Sequence, residues 1–276
     1  MKYEIAAPFA ALSSISCATI IILSIRYSTL RKTHPYNFVY VLAILDFFWV
    51  TICLIPYKNF PNTNFCMIQG FLNQFFNNAQ MIWTGFISLE TYNVAYRRKI
   101  KLLYGFNRPF YLIMGICLIL AIIPLCFDSY KEVYSWCWIG LPNDNNYWLM
   151  FYLRLFCYFL VLLIIFLWNF YVNFLVYYHL RKHFVGKNYK EIRRLRIYPI
   201  IMIICYSPLT LVNFIANDSD ISKIFLIIAN CMFISAGFLN SLAYGCTSNF
   251  WNEIRRQRTK NYKDLIISDK LFKISN

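Results

Sequence analysis

Long apolar runs alternate along the chain with short, mostly basic connections. A helix needs about 20 apolar residues to cross the hydrocarbon of a bilayer. Runs of that order fall at 5–26, 38–57, 66–96, 109–127, 147–179, 194–217 and 222–246. The pattern predicts an all-α membrane protein, a seven-transmembrane-helix bundle formed by residues 1–246. The third and fifth runs exceed the bilayer thickness, so those helices tilt or project beyond it. No connection is long enough to make a separate domain, and no internal repeat is visible. The first run is longer than the apolar region of a cleavable signal peptide and is expected to stay as an anchor. Residues 247–276 are left as a cytoplasmic segment. There Phe250, Trp251 and Ile254 oppose Arg255, Arg256 and Arg258, the pattern of a short amphipathic eighth helix lying on the inner leaflet.

The third run departs from plain apolarity in an ordered way. Gln69, Asn73, Asn77, Gln80, Thr84, Ser88 and Thr91 recur three or four residues apart, which keeps them on one helical face. Polar groups cannot face lipid unsatisfied, so this stripe is expected to point into the bundle. Hydrogen bonding between helices accounts for its lower half. The upper half, with Gln74 and Asn78 added, is denser than packing requires and is expected to line a ligand cavity.

Charge sets the orientation. Lysines and arginines collect in the first, third and fifth connections and after the last run. Among them are Arg31 and Lys32, Arg97 and Arg98, Arg193 and Arg194, and Arg255 and Arg256. The opposite connections hold few basic residues, outnumbered by acids such as Asp128, Glu132, Asp144 and Asp218. Basic connections stay in the cytoplasm, so seven crossings put the N-terminus outside, and the plasma membrane is the expected location.

Composition narrows the function. The 276 residues are 59% apolar, 20% aromatic and only 14% charged, with mean hydropathy +0.48. A soluble domain carries about a quarter charged residues. The net charge of +15 does not indicate nucleic acid, because the basic residues lie between apolar runs and not on one soluble face. His34, His179 and His183 sit near the cytoplasmic side without paired carboxylates, so a zinc hydrolase is not expected. No lysine lies deep in a run for a retinal Schiff base. A transporter would show repeats or matched broken helices. No metal and no cofactor are implied, and an enzyme is not expected.

Several residues stand out against this background. Cys66 opens the third run and Cys137 lies in an outer connection. Both are extracellular, where disulfides persist, and a bridge between them would tie that connection across the cavity mouth; Cys126 is the nearest competing partner. Asp46, Glu90 and Arg154 are ionisable residues inside runs and so functional candidates. Arg154, two turns into the fifth run, either snorkels to outer headgroups or binds an anionic ligand. Pro208 removes a backbone donor in the sixth run, which makes a hinge.

Taken together these motifs resemble the G-protein-coupled receptors. Leu42-Ala43-x-x-Asp46 is similar to their second-helix signature, Cys205-Tyr206-Ser207-Pro208 to the sixth-helix toggle, and Asn240-Ser241-Leu242-Ala243-Tyr244 to the seventh-helix motif. Cys66 and Cys137 resemble the outer disulfide pair, and Glu90 stands where the family's acidic triplet residue stands. Within that superfamily the likeness is to the cyclic-AMP receptor group of slime moulds and other protists. It rests on Cys66-x-x-Gln69-Gly70-Phe71-x-x-Gln74-Phe75 with Trp83, Trp136-Cys137-Trp138-Ile139, Tyr198-Pro199, and Gly237-x-x-Asn240-Ser241 to Tyr244-Gly245. Thr91, Ser241 and Tyr206 depart from the family's arginine, proline and tryptophan.

The resemblance implies a receptor that binds a small extracellular polar ligand and activates a heterotrimeric G protein. Gln69, Asn73, Asn77, Gln80 and Arg154 are the expected ligand contacts. Asp46, Glu90, Tyr206, Pro208, Asn240 and Tyr244 form the expected switch, and Arg97, Arg98, Arg193 and Arg194 the G-protein contact. A cyclic nucleotide is the ligand the likeness suggests. A transporter or an intramembrane enzyme is the alternative.

Overall fold

The computed structural model describes residues 3–27, 36–56, 63–96, 107–133, 136–140, 146–183, 195–215, 220–245, 250, 251, 254–256 and 259. Arg97, Arg98, Arg193 and Arg194 lie outside the described residues, as does most of the chain beyond 251.

Helix α1 covers Tyr3–Arg26, α2 Tyr36–Cys53, α3 Thr63–Ala95 and α4 Asn107–Cys126. An antiparallel hairpin follows, with β1 at Tyr130–Val133 and β2 at Trp136–Ile139, pairing Tyr130 with Ile139 and Val133 with Trp136. Helix α5, Tyr147–Arg154, runs through a π-helical turn at Leu155–Phe159 into α6, Leu160–His183. Then come α7 at Ile197–Ile215, α8 at Asp220–Ile234 and α9 at Ala236–Gly245.

Four stretches are long and apolar enough to cross a membrane: Glu4–Arg26, Arg108–Cys126, Tyr147–His179 and Ile224–Gly245. They mark the chain as a helical membrane protein. Asn37–Cys53 and Ile197–Val212 are apolar but shorter. Helix α3 has ample length, and its amide-bearing face is what lowers its apolar character.

The distribution of side chains is that of a protein solvated by lipid. Ile15 and Ile22 on α1, Leu112 and Ile119 on α4, and Phe170 and Phe174 on α6 are exposed, while Gln69, Gln74, Asn78 and Ser88 on α3 are buried. Burial of apolar area drives little association between helices in lipid, so close packing and interhelical hydrogen bonds hold the bundle. Helix α3 is central to it, touching α2, α4, α6, α7 and both strands. Around it one apolar cluster gathers Leu42, Trp83, Tyr198 and Tyr244, and another nearer the hairpin gathers Trp49, Met81, Tyr158 and Phe233.

Two features differ from the sequence expectation. The connection between α4 and α5 contains a β-hairpin, which the sequence did not foretell. The seventh run is two helices, interrupted at Ser235, whose amide is shared between the carbonyls of Cys231 and Met232. Its hydroxyl also bonds to Cys231 O at 2.7 Å, and such back-bonding bends helices. Just beyond the break, a Cβ on Gly237 would stand 2.6 Å from the Ser13 hydroxyl, so only glycine permits this approach of α9 to α1. Past α9, Phe250 and Ile254 are helical and buried while Arg255 and Arg256 are exposed, and the Phe250 ring meets Tyr244 at 4.8 Å. Trp251, which the sequence places on the apolar face with Phe250 and Ile254, is exposed.

Candidate functional site

The site is built on the polar face of α3. All seven stripe residues are buried, as their spacing predicts. In the lower half the Thr84 and Thr91 hydroxyls donate to carbonyls one turn back, at 2.8 and 2.7 Å. Ser88 donates to Asn169 Oδ1 on α6 at 2.6 Å. These bonds are structural.

The upper half grips the hairpin and the π-helical turn. Gln69 donates through Nε2 to the carbonyls of Ile52 and Ile55, at 3.3 and 2.6 Å, and its Oε1 accepts the amide of Cys137 at 3.0 Å. Asn73 Nδ2 donates to Cys137 O at 3.1 Å. Gln74 and Asn78 both donate to Cys157 O, at 2.8 and 3.1 Å. Cys157 lies in the π-helical turn, where the local change of hydrogen-bond register makes room for outside donors.

The hairpin closes over α3 as a roof. A disulfide joins Cys66 to Cys137, which settles the partner; Cys126 is free and exposed. Trp136 Nε1 donates to Cys53 O at 2.6 Å, and Trp138 Nε1 to Gln74 Oε1 at 2.6 Å. Arg154 is buried, donates through Nε and Nη2 to Ile139 O at 3.0 and 2.6 Å, and lies 4.9 Å over the Trp138 ring. Tyr130 donates its hydroxyl to Ala121 O at 2.7 Å, and its burial raises the phenol pKa. Tyr130 also packs so tightly on α3 that a Cβ on Gly70 would meet its ring at 2.6 Å.

Below the roof is a cavity of about 100 Å³, or about 710 Å³ counted through its open mouth. Its walls are Asn73 and Asn77 from α3, Trp49 and Cys53 from α2, Val133, Trp136 and Trp138 from the hairpin, Tyr158 from the π-helical turn, Leu209 from α7, and Asn230, Phe233 and Ile234 from α8. Of the ligand contacts that the sequence predicts, the structure brings Asn73 and Asn77 to the wall. It places Gln69 and Arg154 in the supports of the roof. Gln80 lies one turn deeper, donating to Asn77 Oδ1 at 3.3 Å, with its own Oε1 lacking a protein partner. Asn230 was not singled out from sequence, although a lone amide between Ile224 and Ile234 is the kind of signal that would have found it. The aromatic walls carried no periodic signal.

The predicted switch residues extend inward from the cavity floor. Phe233 packs edge-on against Trp49 at 4.7 Å and against Tyr206 at 4.6 Å. Tyr206 is two residues from Pro208, which lies inside α7. Around that proline, Ser207 bonds to Ile203 O and Thr210 to Tyr206 O. Deeper still, Asn240 donates to Asp46 Oδ2 at 2.9 Å in a buried contact between α9 and α2. Glu90, lower on α3, is half-buried and accepts from Asn93 at 3.5 Å.

No family model matches the chain. The chain is 27% identical over 251 residues to cyclic AMP receptor-like protein A of Dictyostelium discoideum, an alignment covering 88% of this chain and 64% of that protein. The chain thus spans less than two thirds of that relative's length. The similarity covers most of this chain.

Proposed function

We propose that this chain is a seven-span G-protein-coupled receptor of the plasma membrane, with its N-terminus outside and its C-terminus in the cytoplasm. A small ligand enters from outside into the roofed cavity, meets Asn73, Asn77 and Asn230, and presses on Phe233. The observation that carries this reading is the continuity from cavity wall to hinge: Phe233 touches both the cavity and Tyr206, beside Pro208.

For a ligand to act, it must bind one arrangement of α7 more tightly than the other. A ligand that moves Phe233 changes the packing of Tyr206 and so the equilibrium about the proline bend. The inner end of α7 then opens to a heterotrimeric G protein, with Arg97, Arg98, Arg193 and Arg194 as its basic contacts. Asp46 and Asn240 join α2 to α9 below the hinge and, with Tyr244 packed on Phe250, set the resting arrangement. The relative's name makes cyclic AMP one of the first ligands to test.

The experiment is G-protein dissociation in cells expressing the full chain, with cyclic nucleotides, nucleosides and other small polar metabolites applied outside. A saturable response is expected, and Phe233→Ala should lower potency about tenfold at equal surface expression, a typical cost of losing a buried aromatic contact. A flat response to every ligand, together with basal signalling equal to that of cells lacking the chain, sinks the reading.

A further inference from the structure

Every side chain in the described cavity wall is uncharged. Five are aromatic (Trp49, Trp136, Trp138, Tyr158 and Phe233), three are carboxamides, and the rest are aliphatic or thiol. Arg154, the cation that sequence places near the site, is not in the wall. It lies over the Trp138 ring and commits both Nε and Nη2 to the carbonyl of Ile139. Withdrawing it toward a ligand would leave that buried carbonyl without its donors.

Against the described wall an anionic group would lose its hydration without gaining a counter-charge, which is strongly unfavourable. Indole and phenol rings favour a flat π-system. Carboxamides supply a donor and an acceptor side by side, a match for the edges of a planar heterocycle. Asn230 gives one Nδ2 hydrogen to Leu226 O at 2.8 Å within its own helix, so its carbonyl oxygen and its second amide hydrogen are what it can offer a ligand. Asn77 Oδ1 accepts from Gln80 Nε2 at 3.3 Å, which orients its amide in the wall.

We infer that the cavity selects an uncharged planar heterocycle of nucleobase or nucleoside type, and discriminates against the corresponding phosphate. The inference rests on the cavity being the ligand site of the proposed receptor.

The test uses the full chain purified into lipid nanodiscs, with the fluorescence of the wall tryptophans as the readout. Adenine, adenosine, uridine and cyclic AMP are titrated at neutral pH. Adenosine and cyclic AMP differ chiefly in the charged phosphate. The expected result is saturable quenching by at least one neutral heterocycle, with cyclic AMP about 100-fold weaker than adenosine, as an unpaired buried anion demands. Asn230→Leu should weaken the neutral ligand about tenfold, and Asn230→Ser repeats the measurement should the leucine variant fail to fold. Cyclic AMP binding as tightly as adenosine overturns the inference, and so does the absence of quenching by all the neutral compounds. Because binding is read without a G protein, adenosine binding with a silent G-protein assay removes the proposed coupling and leaves this inference standing. Activation by cyclic AMP with adenosine inert does the reverse.

Discussion

At the scale of single residues, Arg154 shows how position alone leaves a role open. A cation two turns inside a span suggests either snorkelling or an anionic ligand, and the structure gives it a third use, holding the main chain at Ile139. Gln69 is the same kind of case, with both ends of its amide taken by backbone. Replacing Arg154 by methionine keeps much of its bulk and removes the charge-assisted bonds. The expected cost is about 2 kcal/mol, read as a fall in Tm of about 5 °C for a protein of this size. An unchanged Tm would show that Arg154 does not support the roof. What could be read at this scale was burial. Periodicity turned all seven stripe residues inward, but it could not say whether a ligand or the chain itself would satisfy them, because that depends on the fold of a distant connection.

At the scale of elements, the hairpin and α3 act as one unit. The bridge between Cys66 and Cys137 spans a sequence separation of 71 residues, and by chain-entropy reasoning a loop of that size is worth about 4 kcal/mol. Cys66→Ser should therefore lower Tm markedly and weaken ligand binding, whereas Cys126→Ser should change neither; equal effects from the two variants would contradict the pairing. Helix positions were legible because apolar runs and their basic boundaries are long and repetitive signals. The hairpin was not, since each strand is four residues long and its pairing is imposed by α3. The break at Ser235 was hidden for a related reason: it is a single-residue interruption within a run that reads as continuous. Conversely, Pro208 was conspicuous because proline removes a donor wherever it stands, and it lies inside α7. Pro208→Ala should restore that backbone bond and shift agonist potency in the G-protein assay, while equal potency would remove the hinge from the mechanism.

At the scale of the whole molecule, the decisive quantity is which end faces out. Cys126 is exposed at the end of α4, just before the hairpin. A membrane-impermeant maleimide applied to intact cells should label Cys126, and Cys126→Ser should abolish most of that labelling. Labelling that appears only after permeabilisation would invert the orientation drawn from the basic connections, and with it the direction of any signal.

Part of the roof's fastening runs through its main chain. The amide and carbonyl of Cys137 and the carbonyl of Ile139 take the grips of Gln69, Asn73 and Arg154, none of which depends on what side chains the strands display. Val133 meets the cavity without serving any of these clasps. Exchanging the residue at such a position would therefore reshape the chamber while the scaffold above it stays put.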